Sequence, residues 1–189
     1  MKHVKMLGLL VMAAASLVAS AASASAATFT SPTGTAYFGQ FDLTLEGSTL
    51  MKAGFAETTC TESTIGGEFT TNNDTHATGP TKVVSFTKCS LTTTTLNSNG
   101  TLTINKSNTA VSATGVEWTI AALGTSCVYG FGAGTSLGTA TNTTVGGVDK
   151  VTLAIKASLG KISGGFACAN PATFTGNFIV TTPTSSFVD

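Results

Sequence analysis

The chain reads as all-β, and within that class as a two-sheet sandwich of the Ig-like, Greek-key type with about ten to twelve short strands. Three observations predict this. Threonine is the commonest residue, 37 of 189, and with Val, Ile and Phe it suits pleated surfaces and disfavours helix. Beyond the first 26 residues, no stretch of ten or more repeats apolar positions at i, i+3, i+4 and i+7. Instead, short alternating runs recur between Gly, Asn and Pro signals, a spacing that favours a sandwich over a barrel.

The N-terminus has a different logic. Lys2, His3 and Lys5 precede an apolar run from Met6 to Val18, and small residues lead to Ala24-Ser25-Ala26. That is the layout of a secretory signal peptide over 1–26, with cleavage after Ala26 and Ala24 as the nearest alternative. It leaves 27–189 as one domain, long enough to bury a core. The apolar run is short for a bilayer span, and no second stretch approaches the roughly 20 residues needed. A secreted product, extracellular or at the cell surface, is therefore expected, with no membrane insertion once the signal is removed. All nine basic residues are lysine, two of them in the leader, so seven face nine acidic residues in the remainder, a net charge of −2. Without arginine or a basic cluster there is no footprint for nucleic acid.

The strongest strand is Val151–Leu159, where Val151, Leu153, Ile155, Ala157 and Leu159 alternate with Thr152, Ala154, Lys156 and Ser158. After a turn at Asn170-Pro171, the run Phe174–Thr181 can pair back onto it. Earlier in the chain, Ala27–Thr30, Thr35–Gly39 and Phe41–Leu45 read as strands, then Leu50–Thr58 and Ile65–Thr71, the last interrupted by Gly66-Gly67. Asn72–Pro80 reads as the longest polar loop, and Lys82–Lys88 as a strand ending at Cys89. Leu91–Leu96 and Thr101–Asn105 are expected to form a hairpin. A three-residue loop with Gly100 left-handed sets Leu96 opposite Leu102, whereas a two-residue turn would put the apolar residues on opposite faces. Thr109–Ala113, Val116–Ala121, Cys127–Tyr129, Leu137–Thr141 and Ser185–Val188 complete the set.

Four cysteines in an exported chain imply two disulfides, with three possible connectivities. Each half repeats a cysteine, a Gly/Thr strand, a polar loop, a Lys-led strand (Lys82-Val83-Val84 or Lys150-Val151-Thr152) and a second cysteine. This echo pairs Cys60 with Cys89 and Cys127 with Cys168. Zinc is disfavoured, because no CxxC pair is present.

The candidates for chemistry are few. Gly134-Thr135-Ser136-Leu137-Gly138 matches the nucleophile-elbow pattern, but no helix follows and the one histidine outside the leader, His76, precedes the serine. Asn72, Asn73 and Asp74 lack calcium-loop spacing. Glu57, Glu62 and Glu68 could supply paired carboxylates only if the fold brought them together. Trp118, Tyr37 and Tyr129 could stack on sugars, yet Trp118 shares a face with Val116 and Ile120, which favours burial. No catalytic residue, metal site or cofactor is predicted, and the protein is expected not to be an enzyme.

The segments Gly124–Gly130, Cys168–Ala172, Thr175–Phe178 and Thr182-Pro183 resemble a group of uncharacterised secreted β-proteins of actinobacteria, which implies no particular activity. In composition and two-disulfide sandwich character the chain is also distantly similar to secreted chromoprotein carriers such as neocarzinostatin. The expected function is a non-catalytic extracellular module, structural, adhesive or binding, with a surface partner such as a glycan. A carrier of a small apolar ligand is the alternative, and a secreted hydrolase comes third.

Overall fold

The computed structural model describes residues 27–54 and 56–189; the signal peptide expected over 1–26 lies outside them. Within the described residues there is no helix. The strands are β1 (Phe29–Thr30), β2 (Gly39–Gly54), β3 (Glu57–Phe69), β4 (Thr71–Asn72), β5 (His76–Cys89), β6 (Thr93–Ser98) and β7 (Thr101–Asn105). They continue as β8 (Ala110–Thr114), β9 (Glu117–Ala122), β10 (Thr125–Gly130), β11 (Thr135–Val145), β12 (Val148–Ser163), β13 (Cys168–Thr182) and β14 (Phe187–Val188).

Eight of these close a barrel. Taken in chain order, β2, β3, β5, β7, β8, β11, β12 and β13 each pair antiparallel with the next, and β13 pairs back onto β2 from Cys168 opposite Gly54 to Thr182 opposite Asp42. This corrects the two-sheet Ig-like sandwich, because the eight strands form one circuit of pairings that returns to its start. The physical reason is strand length. Five strands run 13 to 16 residues, and bulges bend them until one sheet curls onto itself. In the sequence those bulges look like strand ends: the break between Phe41–Leu45 and Leu50–Thr58 is the register shift between Thr44 and Thr49 inside β2. At Gly138 the register with β8 also shifts, φ is +148° and a Cβ would lie 1.9 Å from the Ala154 carbonyl oxygen. Only glycine lets β11 press so closely onto β12 there.

The best-patterned strand behaves as its alternation demands. Val151, Leu153, Ile155, Ala157 and Leu159 of β12 are buried, and β13 pairs back onto it. Other local expectations fail. β6 does not pair with β7; it pairs with β9, setting Leu96 opposite Trp118, while β7 pairs with β5 and β8. Gly100 is not left-handed, its φ not being positive, and a Cβ there would lie 2.1 Å from the Thr114 carbonyl oxygen. Close approach is its role, where the chain crosses from one sheet region to the other. The polar loop shrinks to Asn73–Thr75 because Asn73 Oδ1 accepts the N–H groups of Thr75 and His76, both at 2.9 Å, closing the β4–β5 turn. Asn72 is buried: its Oδ1 accepts from the N–H groups of Thr28 and Phe29, and its Nδ2 donates to the carbonyls of Phe29 and Tyr37. The turn at Asn170-Pro171 is instead an irregular part of β13.

The two ends of the barrel differ. At one end β7, β8 and β11 fill the arc between β5 and β12, and the paired β1 and β14 lie with Phe29 against Phe69, ring centroids 5.0 Å apart, and Phe69 against Phe41 at 4.6 Å. At the other end the same arc is occupied by β6, β9 and β10, a small sheet attached where Val128–Gly130 meets Gly160–Ser163 of β12. β6 never pairs with β5. Among the described residues the Lys82–Cys89 half of β5 has a strand partner on the β3 side only. The Thr94 hydroxyl, donating to the Phe86 carbonyl at 3.2 Å, bridges the resulting seam.

Candidate ligand-binding site

The predicted chemical candidates do not assemble. Glu57, Glu62 and Glu68 lie five and six residues apart along β3, which at about 3.3 Å per residue keeps neighbouring members more than about 15 Å apart. Each pairs instead with a lysine: Glu57 with Lys52 at 2.9 Å, Glu62 with Lys88, and Glu68 with Lys82. The hydrogen bond from Lys88 holds the Glu62 carboxyl below the usual range. Ser136 sits exposed within β11, opposite Ser112 at the edge of the bulge, with no elbow, and β11 is separated from His76 on β5 by β8 and β7. The described residues contain no group of three or more His, Cys, Asp or Glu that could hold a metal. Asn72 and Asn73 use their oxygens on backbone N–H groups, and Asp74 is exposed.

The aromatic candidates turn inward. Trp118 is 2% exposed and Tyr129 fully buried, and Tyr129 donates to the Ala53 carbonyl at 3.2 Å. Burial raises its phenol pKa, partly offset by a backbone hydrogen bond from Ala169. Tyr37 is half-buried, its hydroxyl donating to the Gln40 carbonyl. Trp118 belongs to an aromatic group at the split end: Phe131 meets it edge-on at 5.2 Å, Phe86 lies at 6.1 Å and Phe174 at 6.3 Å. These phenylalanines were not singled out in the sequence. Phe86 and Phe174 do alternate with polar neighbours in their strands, the one signal that marks them as inward-facing.

Beneath the seam is a cavity of about 30 Å³, lined by Leu43, Leu102, Leu153, Phe131, Phe174 and similar apolar side chains, with Thr81 as the one hydroxyl. Thr81 Oγ1 is satisfied, donating to the Gly100 carbonyl and accepting its N–H, both at 3.0 Å. Outside the seam is a cleft of about 180 Å³ formed by Val84, Ser85, Phe86, Thr87, Thr94, Leu96 and Trp118. Val84, Phe86 and Trp118 line both spaces, so they are the wall between interior and solvent. Val84, Phe86 and Leu96 are only half-buried there.

This geometry overturns the expectation of a sandwich-type structural or adhesive surface module. The barrel is closed, and its clustered aromatic side chains, Trp118, Phe131 and Phe174 among them, line an internal apolar space rather than a partner surface. Cys60 is bonded to Cys89 and Cys127 to Cys168, the pairs suggested by the internal echo. Two disulfides fit an oxidising, extracytoplasmic compartment. No family model, curated protein or solved structure matches the chain.

Proposed function

We propose that the protein is a secreted, non-catalytic carrier of a small apolar ligand, held inside the barrel at its split end. The observation that carries this reading is the apolar cavity lying under an unpaired seam of an eight-stranded barrel, an architecture whose interior is wide enough for side chains or for one small ligand. In the closed state that space is about the volume of one water molecule. Uptake therefore requires Phe86 to swing outward and Leu96, which lines the outer cleft, to give way, and neither side chain is fully buried. The outward residues of β12, such as Thr152, Lys156 and Ser158, are polar, unlike the apolar band on the outside of a membrane-spanning barrel. Native mass spectrometry of protein recovered from the medium of its own host tests the reading. A stoichiometric co-purifying apolar molecule, lost from a Phe174→Arg variant that stays folded, is the expected result. A bare polypeptide mass, together with failure to take up any small apolar compound added afterwards, would refute it.

A further inference from the structure

We infer that the seam between β5 and β6 is the mouth of this site and that the Trp118 indole N–H selects the cargo, which is a small apolar molecule carrying one hydrogen-bond acceptor such as a ketone or ether oxygen. The inference rests on the carrier reading and deepens it.

It starts from an unmatched donor. Trp118 is almost wholly buried, and its Nε1 has no hydrogen-bond partner among the described residues. A buried N–H left without a partner costs about 1 to 3 kcal/mol, so buried tryptophans usually find one. Around it the cavity lining offers no free acceptor, and the Ser85, Thr87 and Thr94 hydroxyls of the outer cleft are not bonded to it. Phe86, Phe131 and Phe174 are hydrocarbon, and the hydroxyl of Thr81 is engaged with Gly100. The donor is sealed within an apolar wall, on a side chain that borders both the cavity and the outer cleft, so it meets a ligand only once the seam opens. A ligand entering through the seam would bury its hydrocarbon body against the phenylalanines and present its acceptor to the indole. A pure hydrocarbon would leave the N–H unmatched, and a molecule with several polar groups would find no second partner inside the cavity.

The path is specified by the same residues. A backbone ladder between β5 and β6 would seal the seam, but across it runs the single Thr94 to Phe86 bond, made by a side chain. Opening needs that bond to break and Phe86 to rotate, while the ladders on the far sides of β5 and β6 stay intact.

Cyclohexanone and methylenecyclohexane test this directly, being matched in shape and differing in one carbonyl oxygen. Trp118 is the chain's one tryptophan, so a single indole N–H signal in a proton–nitrogen correlation spectrum reports on the site. The expected result is saturable binding of both probes, about five- to tenfold tighter for the ketone, with a downfield indole shift for the ketone alone. In Trp118→Phe the preference should collapse to within about twofold. Equal affinities with an unmoved indole signal would overturn the selection role while leaving the carrier reading intact. Failure of both probes to bind wild-type protein and the wider-mouthed Phe86→Ala variant would overturn the carrier reading itself.

Discussion

The closed end and the split end of the barrel share the same five long strands and are finished differently. At the closed end every neighbour is joined by a backbone ladder, and Phe29, Phe41, Phe69 and the side-chain amide of Asn72 fill and cap the interior. At the split end the ladder stops at the seam, and both disulfides lie there: Cys60–Cys89 joins opposed residues of β3 and β5, and Cys127–Cys168 ties β10 to the start of β13. The covalent links flank the seam without crossing it, one on the β3–β5 side and one on the β10–β13 side. They hold the frame on either side of an opening while the opening itself stays free to move.

Removing those links should have the largest effect. Chain-entropy arguments give about 3.5 to 4 kcal/mol for each disulfide, whose cysteines are 29 and 41 residues apart. On reduction, amides of β6, β9 and β10 should lose exchange protection before those of β7, β8 and β11; simultaneous loss at both ends would mean that the two are not separable. Next come the phenylalanines. Phe41→Ala, at a fully buried position of the closed end, should cost about 3 to 5 kcal/mol in denaturant unfolding. Phe86→Ala, half-exposed at the seam, should cost less than about 2, and equal costs would show that the seam is packed as tightly as the closed end.

Tyr129→Phe should cost about 1 kcal/mol through loss of its bond to Ala53, and it also changes the response to alkali. Because burial raises the folded pKa of Tyr129 above its unfolded value, its stabilising contribution is complete below the unfolded pKa of about 10 and is lost as pH rises above that. The wild type should therefore lose stability in alkali more steeply than Tyr129→Phe, as measured by denaturant midpoints across that range. The smallest effect belongs to Thr94→Val, about 0.5 kcal/mol or less in stability, with several-fold faster uptake of methylenecyclohexane by stopped-flow fluorescence.

Legibility in the sequence followed how local each constraint is. The alternation of Val151–Leu159 placed its strand and its buried face correctly, because period 2 depends on the strand alone. Sharing a face with Val116 and Ile120 likewise marked Trp118 for burial. Closure was not legible, since it depends on β2 meeting β13 across more than a hundred residues and on bulges that imitate strand ends. The Leu96–Leu102 hairpin failed for a related reason. Its register is satisfactory locally, but Leu96 packs against Trp118 instead, a partner that only the tertiary fold supplies. The lone indole N–H was beyond reach from sequence, because an unmatched donor is defined by every neighbour it lacks.

The central claim, that one end is a fixed closure and the other a ligand gate, is tested most directly by residue-resolved amide hydrogen exchange with and without saturating cyclohexanone. Slow exchange is expected throughout β7, β8 and β11 in both conditions. Exchange in Lys82–Lys88 and β6 of the free protein is expected to be faster, and slowed at least about tenfold by the probe. Uniform protection at both ends, or slowing confined to the closed end, would contradict it.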